Sequence, residues 1–264
     1  MPQNKLTQLL SRQLLRKVPE LTIFFWIIKI LTTAMGESFS DYLVQTFNPV
    51  IAVALGGLGF IVILALQLST SKYIAWMYWL TVVMVAIFGT MAADVLHVGI
   101  GIPYSISTAF FSILLLLIFI AWYKKEKTLS IHRIDTTRSE LFYWATVVST
   151  FALGTAAGDL TASTFNLGYL NSGILFGILF AIPAIAYLVF GLNEIFAFWF
   201  AYIITRPLGA SFADWFGKSA LGGLGFGDAK VTIVLTILIV LFVAYIAISR
   251  VDSKKQSRKV ITRN

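Results

Sequence analysis

Apolar residues run through this chain in long blocks separated by short polar stretches. Eight blocks, near 20–44, 49–70, 73–97, 104–123, 140–164, 169–191, 194–217 and 229–249, each supply the roughly 20 apolar residues that a membrane-crossing helix requires. The blocks alternate in kind. The plain ones hold no acidic or basic residue apart from Lys230 at the edge of the last, whose VTIVLTILIVLFVAYIAI at 231–248 is free of them. The others hold Lys29, Glu37, Asp41, Asp94, Asp159, Arg206 and Asp214. A charge at the bilayer centre costs about 2.5–3.5 kcal/mol on insertion scales. The charged helices are therefore expected to form an inner ring, with the plain helices against lipid.

The charged blocks share one register. WIIKILTTAMGESFSD begins at Trp26, WLTVVMVAIFGTMAAD at Trp79, WATVVSTFALGTAAGD at Trp144 and WFAYIITRPLGASFAD at Trp199. In each, a glycine (Gly36, Gly89, Gly154, Gly209) follows the tryptophan by ten residues, and an aspartate (Asp41, Asp94, Asp159, Asp214) follows the glycine by five. The copies start 53, 65 and 55 residues apart, which makes the chain a tandem array of one unit. Each unit contributes a motif span and a plain span. An even span count makes the copies parallel, about an axis near the membrane normal, unlike the inverted repeats of many secondary transporters. The predicted fold is all-α: a polytopic membrane protein of eight transmembrane helices in four two-helix repeats. The repeats are placed at about 20–72, 73–138, 139–193 and 194–249, between a basic arm (1–19) and a basic tail (250–264). A cleavable signal peptide is rejected for the first block because it contains a full copy of the repeat.

Four tandem units, each of two spans with one tryptophan at the head of the first, resemble a family of bacterial membrane-anchored proteins built from a repeat of unknown function. The resemblance covers residues 18–249. It implies a bacterial cytoplasmic-membrane protein and brings no activity with it.

Composition agrees with a bilayer protein: 58% hydrophobic and 12% charged residues, where soluble domains carry about 25% charged, and a mean hydropathy of +0.86. The net charge of +8 does not point to nucleic acid. Sixteen of the 20 lysines and arginines lie in 1–19, at Lys72, in 123–139 and in 250–264, all on one side of the predicted topology, whereas Lys218 and Lys230 lie on the other. That asymmetry places both termini in the cytoplasm. The 123–139 linker, with His132, reads as a solvated connection. In the arm, Leu6, Leu9, Leu10 and Leu14 recur at helical spacing, as in a surface-lying helix, and Pro19 suits a first helical turn. The absence of cysteine excludes disulfides and thiolate ligands.

The motif residues carry the candidate chemistry. Small residues four after each glycine (Ser40, Ala93, Gly158, Ala213) extend it into a ridge that lets helices approach closely. One turn before the aspartates stand Glu37, Thr90 and Thr155, and in the fourth copy Ala210. Carboxylate and hydroxyl oxygens are hard ligands for Mg²⁺, Mn²⁺, Ca²⁺ or Na⁺. Asp41, Asp94, Asp159, Asp214, Glu37, Thr90 and Thr155 are thus the expected cation-binding set, with no resident cofactor. Asp94 and His97, three residues apart, are a candidate metal pair. Lys29 and Arg206 are expected to pair internally with acids of the ring, and Pro207 to kink or break its span. The tryptophans read as interface anchors or packing wedges. GGLGFGD at 222–228 lacks the Lys-Ser/Thr ending of a phosphate loop and reads as a flexible lid. Asn48 and Asn166 could cap helices or complete an ion shell. No HExxH, GxSxG or catalytic His/Asp set is present, so an enzyme is not expected. A cation or proton transporter is the first functional reading. A structural or sensory membrane protein, its acids paired to Lys29 and Arg206, is the second. The pattern leaves homo-oligomerisation open.

Overall fold

Side-chain oxygens start several helices where the apolar blocks begin. Thr22 accepts from the Phe25 amide, Asn48 from Val50 and Ile51, and Asn193 from Ile195 and Phe196, while Thr136 and Ser139 form a reciprocal capping box. The computed structural model describes residues 17–252. In chain order its α-helices are α1 (Ile23–Thr46), α2 (Pro49–Ser69), α3 (Ala75–Asp94), α4 (Tyr104–Glu126), α5 (Thr137–Asp159), α6 (Gly168–Phe190), α7 (Glu194–Gly217) and α8 (Asp228–Ser249). Among the described residues, eight helices are long and apolar enough to cross a membrane. The leucine-bearing part of the arm and most of the tail lie outside the described residues. Pro19 is not in a first turn, since α1 starts only at Ile23 behind Thr22.

The motif helices α1, α3, α5 and α7 are inside. Their most apolar windows are 61, 56, 67 and 61% buried, against 11, 22, 17 and 22% for α2, α4, α6 and α8. The inner four pack in sequence, α1 on α3, α3 on α5, α5 on α7, and α7 back on α1. One contact is repeated around this ring. Gly36 faces Ala86, Gly89 faces Phe151, Gly154 faces Arg206 and Gly209 faces Thr33. Each partner stands three residues before the glycine of its own helix. A Cβ at Gly89 would sit 2.6 Å from the Phe151 Cβ, so glycine is what permits the approach. A head-to-tail contact that closes after four steps produces parallel pseudo-fourfold symmetry.

The plain helices lock the ring. α2 lies chiefly on α3 rather than on its own partner α1; likewise α4 lies on α5, α6 on α7, and α8 closes onto α1. Each repeat therefore covers its neighbour. The two ends of the described segment meet at the tryptophan end of the bundle, where the Glu20 amide donates to the Asp252 carbonyl at 3.1 Å.

Two expectations about that end are corrected. Trp79, Trp144 and Trp199 are buried in an aromatic cluster, as wedges between helices and not as interface anchors, and Trp26 is half-buried against Phe25, Phe180 and Phe198. Each indole follows an axis-facing ring (Phe25, Tyr78, Tyr143, Phe198), and the inner-helix contacts are filled by such pairs. The 123–139 linker is not simply solvated. Its 3₁₀ turn Ile131–Arg133 drives Ile131 and Ile134 into the core, and the Leu129 carbonyl accepts from Trp199 Nε1 at 2.9 Å. His132, half-exposed, faces Glu194 at 3.1 Å.

Candidate functional site

Positions one before the tryptophan and 3, 7, 11 and 15 after it recur at i, i+4 spacing, so they form one stripe per helix. In the ring these stripes meet at the axis. The first four layers are Phe25, Tyr78, Tyr143 and Phe198; Lys29, Val82, Val147 and Tyr202; Thr33, Ala86, Phe151 and Arg206; Glu37, Thr90, Thr155 and Ala210. None of these side chains is more than 5% exposed. The axis is thus packed solid from the tryptophan end to the glycine level. The fifth layer is Asp41, Asp94, Asp159 and Asp214, of which only Asp214 is fully buried. The bundle opens at its aspartate end.

Arg206 occupies the axis beneath that opening. Its Nη2 donates to Glu37, Thr90 and Thr155, which lie on three different helices. These oxygens, expected as ligands for a free cation, hold the protein's own guanidinium instead. Arg206 thus pairs with an acid as expected, and α7 runs unbroken through Pro207, whose ring packs on Gly154. Lys29 does not pair with an acid. Its Nζ lies 4.0 Å from the centroid of the Phe151 ring and 4.3 Å from that of Tyr202, and has no hydrogen-bond partner. At the second layer it is too deep for the aspartates, while Arg206 takes the Glu37 carboxylate. Aromatic faces are what remain.

The aspartate layer divides in two. On the α7/α1 side Lys218 Nζ contacts Asp41 Oδ2 at 2.7 Å and Asp214 Oδ1 at 2.8 Å. Burial by itself would lower the pKa of Lys218. Asp214, Asp41 and Glu37 outweigh that and hold it well above its ordinary value, so it remains an ammonium across the physiological pH range. Lys218, singled out in the sequence only for its side of the topology, is the i+4 neighbour of Asp214 and reaches across to Asp41 through the fold. The 222–228 loop fixes the end of α7 that carries Lys218. Leu224, Gly225, Phe226 and Gly227 donate backbone bonds to Trp215, Lys218, Phe216 and Gly217. The loop is a hydrogen-bonded strap rather than a flexible lid.

On the α3/α5 side Asp94 and Asp159 each end an α-helix that continues as a π-helical turn, Val95–Gly99 and Leu160–Thr164 respectively. His97 lies in the first of them. Donor atoms of Asp94, His97 and Asp159 fall within 4.8 Å of one another, and His97 Nδ1 is 3.8 Å from Asp159 Oδ2. His97 Nε2 bonds Ser107 Oγ of α4 at 2.5 Å. Ser107 had no sequence signal, because it belongs to a plain helix and comes to His97 only through the fold. Of the two loop asparagines, Asn48 caps α2, and Asn166 takes a left-handed turn at φ 55° with its amide toward the Thr164 carbonyl.

A second polar cluster, also missed from sequence, closes the tryptophan end. Lys17 Nζ bonds Glu140 Oε2 at 2.6 Å and the Leu68 carbonyl at 3.1 Å, while Gln67 Nε2 donates to Glu140 Oε1 at 3.0 Å.

A family model described as a repeat of unknown function, DUF347, matches at residues 24–73, 77–128, 142–192 and 197–252. No curated protein and no solved structure matches the chain.

Proposed function

The chain belongs to the family of the repeat of unknown function DUF347, and on that premise we propose that this integral membrane protein is a cation transporter whose access site is the acidic cup at the aspartate end of the ring. The carrying observation is a charge imbalance. Among the described residues, Glu37 and the four motif aspartates gather where Arg206 and Lys218 are the lysine and arginine side chains that bridge to them. Asp94 and Asp159 share no lysine or arginine bridge among the described residues. Carboxylates held this close repel one another, and a cation or proton between them relieves the repulsion. The solid axis below Arg206 supports a carrier with a gated path over an open channel. The reading orients the tryptophan end, with its excess of basic residues, toward the cytoplasm of a bacterial cell.

The structural or sensory reading draws on the other half of the same layer. Asp41, Asp214 and Glu37 are already paired with the protein's own cations, Lys218 bridging the two aspartates and Arg206 holding Glu37, as helix-fastening pairs would be. Flux measurement separates the two readings. With Mn²⁺ as probe in proteoliposomes, Asp94→Asn combined with Asp159→Asn is expected to cut uptake at least tenfold while leaving a folded, monodisperse protein. Wild-type flux in that double variant would leave the cup structural.

A further inference from the structure

We propose that Asp94, His97 and Asp159 form a three-ligand site for a divalent transition-metal ion of the Mn²⁺, Fe²⁺, Co²⁺ or Zn²⁺ class, bound through His97 Nδ1 and one oxygen of each aspartate. This assigns an ion class and a position within the cup, and rests on the reading of the cup as a cation site.

The hydrogen bonding around His97 carries the inference. Ser107 Oγ is 3.1 Å from the Tyr104 carbonyl and 3.4 Å from that of Pro103, both able only to accept. In the proposed site the single hydroxyl proton of Ser107 goes to one of these carbonyls. Its oxygen is then the acceptor for His97, which makes Nε2 the protonated nitrogen. Nδ1 is left with a lone pair. It is buried without a hydrogen-bond partner and points toward the Asp159 carboxylate, 3.8 Å away. Two lone-pair donors facing each other at that distance repel unless something positive lies between them, and 3.8 Å is too long for a direct hydrogen bond. A histidine whose far nitrogen is tied off in this way has the arrangement that orients imidazole ligands in metal sites.

The backbone agrees with that reading. Both aspartates stand at the junction of α-helix and π turn, in the second and third repeats. The first and fourth repeats continue as ordinary α-helix past Asp41 and Asp214, and there Lys218 is the cation. The two halves of the layer thus solve the same electrostatic problem differently: one with a tethered ammonium, the other with a place for an ion. Donors around one ion at about 2.1 Å lie roughly 3–4 Å apart, so a spread of up to 4.8 Å closes with small side-chain movement. One imidazole nitrogen with two carboxylates suits borderline ions better than Mg²⁺ or Ca²⁺, which favour all-oxygen shells, or Cu⁺, which favours sulfur.

The test uses Co²⁺ on the full-length chain purified in detergent, followed by its visible d–d absorption and by metal content after desalting. Wild type is expected to retain one Co²⁺ per chain with a spectrum of mixed nitrogen and oxygen ligation. His97→Ala and Asp159→Asn are each expected to weaken binding at least tenfold and to change the bands. Ser107→Ala is expected to weaken it about tenfold by freeing the tautomer. Asp159→Asn preserves shape, so it serves if His97→Ala fails to give folded protein. No retained Co²⁺ in wild type, or equal retention in wild type and both ligand variants, overturns the site. The same preparations are assayed for flux in proteoliposomes. Specific binding without flux removes the transport reading and leaves this site standing, whereas flux undiminished in variants that have lost no Co²⁺ affinity removes the site and leaves transport.

Discussion

At the residue scale, two buried cations on one axis have opposite circumstances. Arg206 is fully buried and held by Glu37, Thr90 and Thr155, so its loss strands a carboxylate in the core. Breaking a buried pair from one side typically costs about 3–5 kcal/mol. Arg206→Leu is therefore expected to lower the melting temperature markedly in detergent, with Glu37→Gln in the same background recovering part of the loss. An unchanged melting temperature would contradict the central position of the guanidinium. Lys29 has two ring faces and no carboxylate. Cation–π contacts return about 2 kcal/mol when desolvated, less than the several kcal/mol that burying an ion costs. Lys29→Met keeps the stem volume and is expected to leave the melting temperature unchanged or raised. A fall of more than about 4 °C, near 1 kcal/mol or more for a chain of this size, would mean that the amine has a role the aromatic faces do not explain.

At the scale of the element, the glycines decide how close the inner helices come. The neighbour facing Gly89 is the Phe151 Cβ, attached directly to backbone, so the helices themselves must part to admit a methyl group. Gly89→Ala is expected to destabilise by about 1–3 kcal/mol, the usual cost of overpacking. Gly177, on the plain helix α6, meets only Leu208 Cδ1 at 3.8 Å, so Gly177→Ala is expected to be tolerated. Thermal melts of the two variants side by side check whether the ring, and not the outer layer, sets the tight packing. The π turns after Asp94 and Asp159 belong to this scale too. They form the last turn of each span, and the first of them carries His97 to within reach of two aspartates from different repeats.

At the scale of the molecule, a tandem array has become a closed ring because each plain helix covers the next repeat and α8 covers the first. The absence of native cysteine allows the orientation to be tested directly. Ser71 at the tryptophan end and Ala220 at the aspartate end are both exposed. In intact cells an impermeant maleimide is expected to label Ala220→Cys and not Ser71→Cys; the reverse pattern would invert the proposed topology. Ring closure also predicts that a circular permutant of residues 17–252, joined by a linker where the Glu20 amide meets the Asp252 carbonyl and opened at Ser71, folds to a monodisperse species, since the cut lies at the same end of the bundle as the join.

What the chain determined unaided follows from energies that are local in sequence. Eight apolar blocks, the Trp–Gly–Asp register and the cost of burying charge were enough for the span count, the parallel repeats and the inner place of the motif helices, and i, i+4 spacing put Glu37 and Asp41 on one stripe. Tertiary structure decided which neighbour each stripe met. Arg206, Thr33, Ala86 and Phe151 hold equivalent positions, yet only ring closure brings the one guanidinium to Glu37 and leaves Lys29 beneath two aromatic faces. Four aspartates identical in the repeat pattern became two kinds, because Lys218 reaches one pair while His97, turned by a π segment and fastened by Ser107, reaches the other. A periodic sequence can specify equivalent positions; the asymmetric contacts that distinguish them arise from side chains on other helices, whose proximity is a property of packing and not of spacing along the chain.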